Sequence, residues 1–194
     1  MSGAFFTIDV AAGLVTPARF VVSPNHDERP EGSVPELILV HGISLPPGEY
    51  GGPWIDRLFA NALPSDAHPY FAQVAGLKVS SHALIRREGD LVQYVPFHRR
   101  AWHAGASSYR GRERCNDFSI GIELEGADER PYEPVQYRKL VELIVALCGA
   151  YPSLSVERIA GHSDVAPGRK TDPGPAFDWP RFRAMLRSAT ERFV

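Results

Sequence analysis

The hydrophobic pattern of this chain changes between the two-residue period of strands and the 3.6-residue period of helices. The run ELILV has the length of a short strand and ends at His41. In FSIGIELEG every second residue is aliphatic, so the pattern places Glu123 and Glu125 on the strand face opposite the aliphatic side chains. The turn Glu88-Gly89-Asp90 lies between the segments VSSHALIRR and LVQYVP, an arrangement that is typical of a hairpin. A further short strand is predicted around residues 158–161, directly before His162.

Three segments have the period of a helix. The apolar residues of the longest one follow Pro134 at helical spacing and are Tyr137, Leu140, Val141, Ile144, Leu147, Cys148 and Tyr151. The C-terminal helix starts at Asp178 as its N-cap, and its apolar stripe comprises Phe182, Met185, Leu186, Ala189 and Phe193. A shorter helix has an apolar side made of Trp54, Ile55, Leu58, Phe59 and Ala62.

Because these strands and helices interleave, we predict an α/β (α+β) fold with a central mixed β-sheet flanked by helices. The chain has 194 residues, which favours a single domain over residues 1–194. Residues 1–34 are predicted to be loop-rich and to lie on the surface.

Composition narrows the class of protein. With 44% hydrophobic and 23% charged residues the chain is typical of a globular protein, which excludes disordered and fibrous classes. Two cysteines, Cys115 and Cys148, are too few for a disulfide framework. The first twenty residues lack the pattern of a signal peptide, and no apolar run approaches the length of a membrane span. These features predict a cytoplasmic protein with no membrane partner.

Charge is distributed unevenly along the chain. Residues 78–114 contain eight lysines and arginines against three acids, so they carry +5 while the remainder of this −2 chain carries −7. A locally basic segment in a mildly acidic protein favours a small anionic ligand and argues against a nucleic-acid partner. Individually, most of these arginines are better interpreted as solvated strand edges.

Histidines are the main candidates for chemistry, although neither HExxH nor paired CxxC occurs. His41 and His162 each stand where a predicted strand meets a loop rich in proline and glycine, a position that holds a side chain rigidly while exposing it. GHSDVAPGRKTDPGP adds Asp164, Lys170 and Asp172 near His162. Two imidazoles and one carboxylate, with a fourth position for water, form a catalytic zinc set. Spacing leaves open which aspartate takes part, and whether the acids only cap or bridge the loop.

Four longer blocks carry a resemblance to a known family. They are VHGISLPPGEYGGPWI, SSHALIRREGDLVQYVP, AWHAGASSYRGRERCNDFSIGIELEG and GHSDVAPGRKTDPGPAFDWPRF. In order and spacing they resemble the AmpD-type N-acetylmuramoyl-L-alanine amidases, zinc hydrolases of cell-wall recycling that are related in fold to phage amidases and peptidoglycan-recognition proteins. The similarity extends from about residue 20 to about residue 186.

The resemblance implies one zinc ion per chain and the roles of several residues. The metal ligands fall on His41, His162 and Asp172, which selects Asp172 over the other aspartate. The general base falls on Glu123, and the lysine that stabilises the oxyanion falls on Lys170. One departure from the family pattern is the residue after the first ligand, Gly42, where a polar residue such as asparagine is expected.

The implied substrate is a 1,6-anhydro-N-acetylmuramyl peptide, cleaved between the lactyl group of the sugar and L-alanine. We expect Arg114 and Asn116 to hold the peptide and Trp102 to stack on substrate, although core packing is an equal alternative for the indole. His103 is a candidate cleft residue, and His82 is either a partner of a ligand or packed. We expect a monomer. The alternatives are a non-catalytic muropeptide-binding module of the same fold and an amidase that acts on intact peptidoglycan.

Overall fold

The computed structural model describes residues 6–191, so Phe193 of the predicted helical stripe lies outside the described residues. The strands are β1 (Thr7–Asp9), β2 (Leu14–Thr16), β3 (Arg19–Phe20), β4 (His26–Asp27), β5 (Leu37–Ile43), β6 (Ala83–Ile85), β7 (Leu91–Gln93), β8 (Arg100–Ala101), β9 (Ser108–Tyr109), β10 (Arg112–Glu113), β11 (Ser119–Glu125) and β12 (Ile159–Gly161). The helices are α1 (Trp54–Phe59), α2 (Phe71–Val74), α3 (Pro134–Ala150), α4 (His162–Val165) and α5 (Trp179–Thr190).

A six-stranded mixed sheet forms the centre of the fold, in the order β12-β5-β11-β6-β7-β3. The neighbours β12, β5, β11 and β6 run parallel, whereas β6 and β7 form the antiparallel hairpin that the sequence predicts. Three two-stranded pieces, β1–β2, β4–β8 and β9–β10, lie outside this sheet. The segment predicted to be loop-rich therefore contains four short strands, and one of them, β3, is the edge of the main sheet.

Helices cover one face of the sheet. Ile38 and Val40 of β5 and the three aliphatic residues of β11 pack against α3 and α5 in the largest hydrophobic cluster. α3 begins after Glu133 with a proline in its first turn and a capping box, and α5 begins at Asp178, whose carboxylate accepts the backbone N–H of Arg181 at 2.9 Å. Both helix starts are where the sequence predicts them.

The opposite face is covered partly by α1 and α2 and partly by loops. Leu84 and Val92 pack with α1 and α2, while Leu37 and Leu39 pack against the connection between β8 and β11. Since side chains alternate along a strand, His41 shares the face of Leu37 and Leu39. This face is the one on which the candidate site forms. Among residues 6–191, no helix has the length and apolar character that crossing a membrane requires.

The arginines of the basic stretch are held by acids from elsewhere in the chain. Arg86 contacts Asp56 at 2.9 Å and the buried Glu125 at 3.2 Å. The further pairs are Arg87–Glu133, Arg99–Glu28, Arg100–Asp27, Arg100–Asp117, Arg112–Glu36 and Arg114–Asp117. These pairs include six of the seven arginines in the stretch, and the expectation that the stretch receives a small anionic ligand stays a prediction. Most of these ion pairs join segments that are far apart in the sequence.

Candidate metal centre and active site

The carboxyl ends of three neighbouring parallel strands bring the candidate residues together. In the register of β11 against β5, Glu123 lies beside His41. In the register of β12 against β5, Gly161 pairs with Val40, so the next residue, His162, reaches the same edge of the sheet. Parallel strands end at a common edge, and side chains carried there converge although 121 positions separate the two histidines.

Three donor atoms meet at this edge. The Nδ1 atoms of His41 and His162 are 3.0 Å apart, and each is 3.1 Å from Oδ2 of Asp172. Both imidazoles are buried, and the carboxylate is partly buried. These are the three residues that the resemblance implies as metal ligands.

The donor set fits a divalent metal. The Nε2 of His162 lies 3.2 Å from the carbonyl oxygen of Ala104, which can only accept, so Nε2 carries the proton and Nδ1 a lone pair. Asp172 also offers lone pairs, and two such atoms at 3.1 Å attract only through a cation between them. Ligands about 2.0–2.2 Å from a tetrahedral zinc lie about 3.3–3.6 Å from each other, slightly farther apart than the atoms are here.

The protonation states agree with this interpretation. Burial lowers the pKa of His41, which favours the neutral imidazole. Burial alone raises the pKa of Asp172, but the contacts with His162 and His41 outweigh it and hold that pKa below its usual range. Metal ligands must be neutral imidazoles and ionised carboxylates, and the site provides both.

Backbone contacts determine which aspartate faces the site. The carbonyl of Asp172 accepts the N–H of Ser163 at 3.0 Å, and the hydroxyl of Tyr132 donates to the carbonyl of Pro173 at 2.8 Å. Asp164 points elsewhere: its Oδ2 accepts the N–H of Gly161 at 2.7 Å and caps α4. The capping role left open by the spacing therefore applies to Asp164.

Glu123 lines the same cleft as the three ligands. Its side chain is 7% exposed, and Oε2 is buried with no hydrogen-bond partner among the described residues. Burial, followed by the negative charge of Asp172, raises the pKa of Glu123 well above its ordinary value, and the nearby Lys170 offsets only part of this effect. A carboxyl group in this state takes up and releases a proton closer to neutral pH than an exposed one does. The exposed Lys170 lines the same cavity.

The second glutamate of β11 has a different environment. Glu125 is 1% exposed, and its carboxylate accepts N–H groups from Gly51, Arg86 and Arg87 at 2.7–3.2 Å. Alternation correctly places both glutamates on one face of the strand. Of these two glutamates, only Glu123 has a carboxylate oxygen that accepts no hydrogen bond from the described residues. Glu123 is therefore the one whose carboxylate can take up a proton.

The cavity has an apolar wall beside the polar centre. That wall is contributed mainly by α1, α2 and the residues after them, namely Leu58, Phe59, Tyr70, Val74, Leu77 and Val79. A cleft with one apolar side and a few convergent polar groups is typical of a small-molecule site.

Gly42, the departure from the family pattern, has a packing explanation. A Cβ atom at this position would overlap with the hydroxyl of Tyr132, the same hydroxyl that holds Pro173. A side chain at residue 42 would therefore displace the tyrosine and disturb the loop of Asp172.

The residues predicted to bind substrate make contacts within the protein. The indole N–H of Trp102 donates to Asp27 at 3.2 Å, and the guanidinium of Arg114 pairs with Asp117 at 3.2 Å. Oδ1 of Asn116 accepts the backbone N–H groups of residues 103 and 104 at 3.1 and 2.8 Å. The described residues that line the cavity do not include these three, and their assignment to substrate stays a prediction.

His82 and His103, which the sequence leaves ambiguous, differ in the structure. His82 is fully buried, accepts the N–H of Gly121 at Nδ1 (3.0 Å) and donates from Nε2 to the carbonyl of Arg99 (3.0 Å). Burial lowers the pKa of His82 to about 3, so it is a neutral packing residue. His103 lines the cleft and contacts Nε2 of His41 at 2.9 Å. One feature of the sequence could have revealed that His103 lies here. Gly121 interrupts the aliphatic strand, and the absence of a side chain at this position leaves space for the ring of His103.

Comparisons with known proteins identify the class to which this fold and site belong. The family model described as N-acetylmuramoyl-L-alanine amidase matches residues 31–175. The chain belongs to this family of enzymes. The predicted α+β fold with a central mixed sheet and flanking helices is confirmed.

The more particular likeness is to AmpD proteins. The chain is 61% identical to "1,6-anhydro-N-acetylmuramyl-L-alanine amidase AmpD" of Enterobacter cloacae, over 94% of this chain and 97% of that protein. It is 57% identical to the AmpD of Escherichia coli strain K12, over 92% and 97%. A crystal structure of a selenomethionine AmpD derivative superposes with a TM-score of 0.89 at 57% identity and covers 92% of this chain and 98% of the other. The resemblance to AmpD-type amidases is confirmed.

A more distant relative has been solved with its substrate. The structure of AmiD from E. coli in complex with anhydro-N-acetylmuramic acid-L-Ala-D-gamma-Glu-L-Lys matches with a TM-score of 0.57 at 30% identity, over 82% of this chain and 61% of that chain. The ligand in that structure contains the sugar–alanine amide of the substrate class implied for this protein.

Proposed function

We propose that this protein is a zinc-dependent amidase that hydrolyses the amide bond between 1,6-anhydro-N-acetylmuramic acid and L-alanine in muropeptides, as part of peptidoglycan recycling. The observation that carries the proposal is the convergence of His41, His162 and Asp172 at 3.0–3.1 Å beside a buried glutamate, in a chain of the amidase family. The names of its AmpD relatives support the anhydro form of the sugar.

Two side chains beside the three ligands perform the proton and charge chemistry. Zinc, when bound by His41, His162 and Asp172, polarises the scissile carbonyl and lowers the pKa of a water molecule. Glu123 accepts the proton of the attacking water and delivers it to the amine of L-alanine as the amide bond breaks. General acid–base catalysis of this kind is worth about 10²–10⁴ in rate. The raised pKa of Glu123 suits it both to accept the proton of the water and to deliver it to the amine.

Lys170 supplies positive charge at the same site. Its ammonium group stabilises the oxygen of the scissile carbonyl as negative charge develops there. The long, exposed side chain lines the cavity, so it reaches a substrate without the desolvation that a buried lysine would require. The proposal keeps Trp102, Arg114 and Asn116 as substrate-binding residues at the adjoining loop.

One zinc ion binds per chain, residues 1–194 act as a single domain, and the protein works as a monomer. An enzyme that recycles released anhydromuropeptides must meet that pool, which we place in the cytoplasm.

The test measures zinc content and product release on the same purified sample. We expect one zinc per chain, and release of the free peptide from an anhydromuropeptide, detected by mass spectrometry. Treatment with a chelator abolishes release, and added zinc restores it. Intact substrate with zinc bound would instead identify a muropeptide-binding module.

A second arm compares substrates. We expect faster turnover of the anhydro-sugar muropeptide than of the matching reducing-sugar muropeptide or of intact peptidoglycan. Equal rates on all three would remove the recycling assignment while leaving the amidase activity in place.

A further inference from the structure

We propose that His103 and Ser119 are positioning residues that fix the tautomer of His41, so that its Nδ1 presents a lone pair to the metal. The inference rests on the proposed zinc site. It is carried by a chain of hydrogen bonds from His41 through His103 and Ser119 to the backbone carbonyl of Cys115.

The hydrogen bond between Ser119 and Cys115 determines which atom donates in each of the other hydrogen bonds. Ser119 is fully buried, and its Oγ lies 2.5 Å from the carbonyl oxygen of Cys115. Two oxygens this close require a hydrogen between them, and a carbonyl can only accept. The single hydroxyl proton of Ser119 is therefore committed to Cys115, and Oγ has only lone pairs left for its other neighbour.

That neighbour is His103, whose Nε2 lies 3.2 Å from Oγ of Ser119. Because Oγ can only accept here, Nε2 of His103 carries the proton. In a neutral imidazole the other nitrogen is then an acceptor. Nδ1 of His103 lies 2.9 Å from Nε2 of His41, so the proton of His41 sits on Nε2. Its Nδ1 is left with a lone pair, directed at Asp172 and His162.

The fold holds the ring of His103 in the required orientation. The ring packs on the backbone of Gly121, where a Cβ atom would come within 2.5 Å of Nδ1. It meets the ring of His41 edge-on, with centroids 5.0 Å apart and an interplanar angle of 89°. His82 packs against another side with centroids 5.6 Å apart. A ring confined in this way cannot rotate to offer a different atom to His41.

The two imidazole ligands are thus oriented by different means. His162 donates directly to a backbone carbonyl, that of Ala104. Among the described residues, Nε2 of His41 does not donate to a backbone carbonyl. It is linked to one, that of Cys115, through the side chains of His103 and Ser119. Partners that orient a metal-binding histidine typically contribute 10–100-fold to metal affinity, so side chains that are not themselves metal ligands here control metal binding.

The experiment measures the zinc dissociation constant of the full-length protein by competition with a chromophoric chelator. His103→Phe keeps an aromatic ring at this position but removes the acceptor, and we expect it to weaken zinc binding about 10–100-fold. His103→Asn places an amide oxygen near the position of Nδ1, and we expect it to recover most of the affinity. Ser119→Ala removes the group that sets the direction of these hydrogen bonds, and since it acts only through His103 we expect a loss smaller than that of His103→Phe, below about 10-fold.

Ser81→Ala is the matched control. Ser81 is also fully buried and donates to a backbone carbonyl, that of Gly121, at 2.8 Å. Its hydroxyl takes no part in the hydrogen bonds that link His41 to Cys115, so the zinc dissociation constant should not change. Each variant is also loaded with Co²⁺. The visible spectrum should shift for His103→Phe and Ser119→Ala, and should match the wild type for Ser81→Ala.

The outcomes separate this inference from the proposed function. If the wild-type protein binds no zinc, the proposed metal site fails and this inference fails with it. If the wild type binds zinc tightly and His103→Phe and Ser119→Ala bind it equally tightly, only the positioning role is overturned. Equal losses in Ser119→Ala and Ser81→Ala also overturn it, because the effect would then be general damage to the sheet. Should His103→Phe not fold, the two serine variants decide the matter alone.

Discussion

The buried carboxyl of Glu123 should destabilise the metal-free protein, and replacing it by glutamine should reveal this cost. Oε2 has no hydrogen-bond partner among the described residues, the side chain is 7% exposed, and Asp172 adds negative charge nearby. Glu123→Gln keeps the shape of the side chain and removes its ability to ionise. A group kept for chemistry at the expense of stability is the usual trade-off at active sites.

The sign of the pH dependence follows from the raised pKa. Between its ordinary pKa of 4.5 and the higher folded-state value, Glu123 binds more protons in the folded state than in the unfolded state. The free energy of unfolding therefore falls as pH rises through this window. Below pH 4.5 the carboxyl is neutral in both states and the penalty disappears.

The magnitude comes from the cost of burying a charge without a partner, because glutamine at this position lacks the same partner but stays neutral. An unsatisfied buried group costs about 1–3 kcal/mol, and each tenfold change in the acid dissociation constant corresponds to about 1.4 kcal/mol. We therefore expect metal-free Glu123→Gln to be more stable than the metal-free wild type by about 1–3 kcal/mol at pH 8 and nearly equal to it at pH 4.5. For a chain of this size the gain at pH 8 corresponds to about 2–12 °C in the melting temperature.

The assay is thermal unfolding of the chelator-treated proteins at both pH values, followed by circular dichroism. Glu125→Gln is the matched control, because it lies two residues away on the same face of the same strand. Its carboxylate accepts three N–H groups and pairs with Arg86, so we expect this variant to lose about 1–3 kcal/mol. If Glu123→Gln is no more stable than the wild type at pH 8, or if its gain is the same at pH 4.5, the reasoning is refuted.

Three further predictions concern the ligands, the glycine beside them and a helix start. His162→Ala should lose zinc and activity together, and a full zinc equivalent in metal analysis would contradict its assignment as a ligand. Gly42→Asn should lower the melting temperature by the equivalent of about 1–3 kcal/mol because of overlap with Tyr132. Gly76→Asn is the control, because a Cβ atom there meets nothing within 4 Å and the backbone is not left-handed; it should stay within about 0.5 kcal/mol, and equal losses would refute the packing argument. Asp178→Ala should cost about 0.5–2 kcal/mol in urea unfolding through loss of the α5 cap, whereas Asp178→Asn should cost much less.

Local periodicity predicts most of the secondary structure because burial on one face imposes it. The alternation in FSIGIELEG corresponds to β11, the helical spacing after Pro134 corresponds to α3, and the Asp178 cap starts α5. The short strands near the N-terminus are missed. β1 and β2 have three residues each and pair with each other, whereas β3 and β4 have two residues each and pair with distant segments. Two residues are too few to show a period, so only the partner strand determines such an element.

The sequence by itself determined which residue types stand at the ends of the strands: His41 after an apolar run, His162 after another, and Glu123 opposite the aliphatic face. The resemblance selected Asp172, whereas spacing alone left Asp164 equally eligible. Only the tertiary structure showed that Asp164 caps α4 while Asp172 meets both imidazoles. It also showed that Oε2 of Glu123 has no hydrogen-bond partner within residues 6–191, whereas the carboxylate of Glu125 has three. The physical reason is that periodicity reports which face a side chain occupies. Its chemistry depends on neighbours that arrive from segments far away in the chain, and that information enters only when the strands pair.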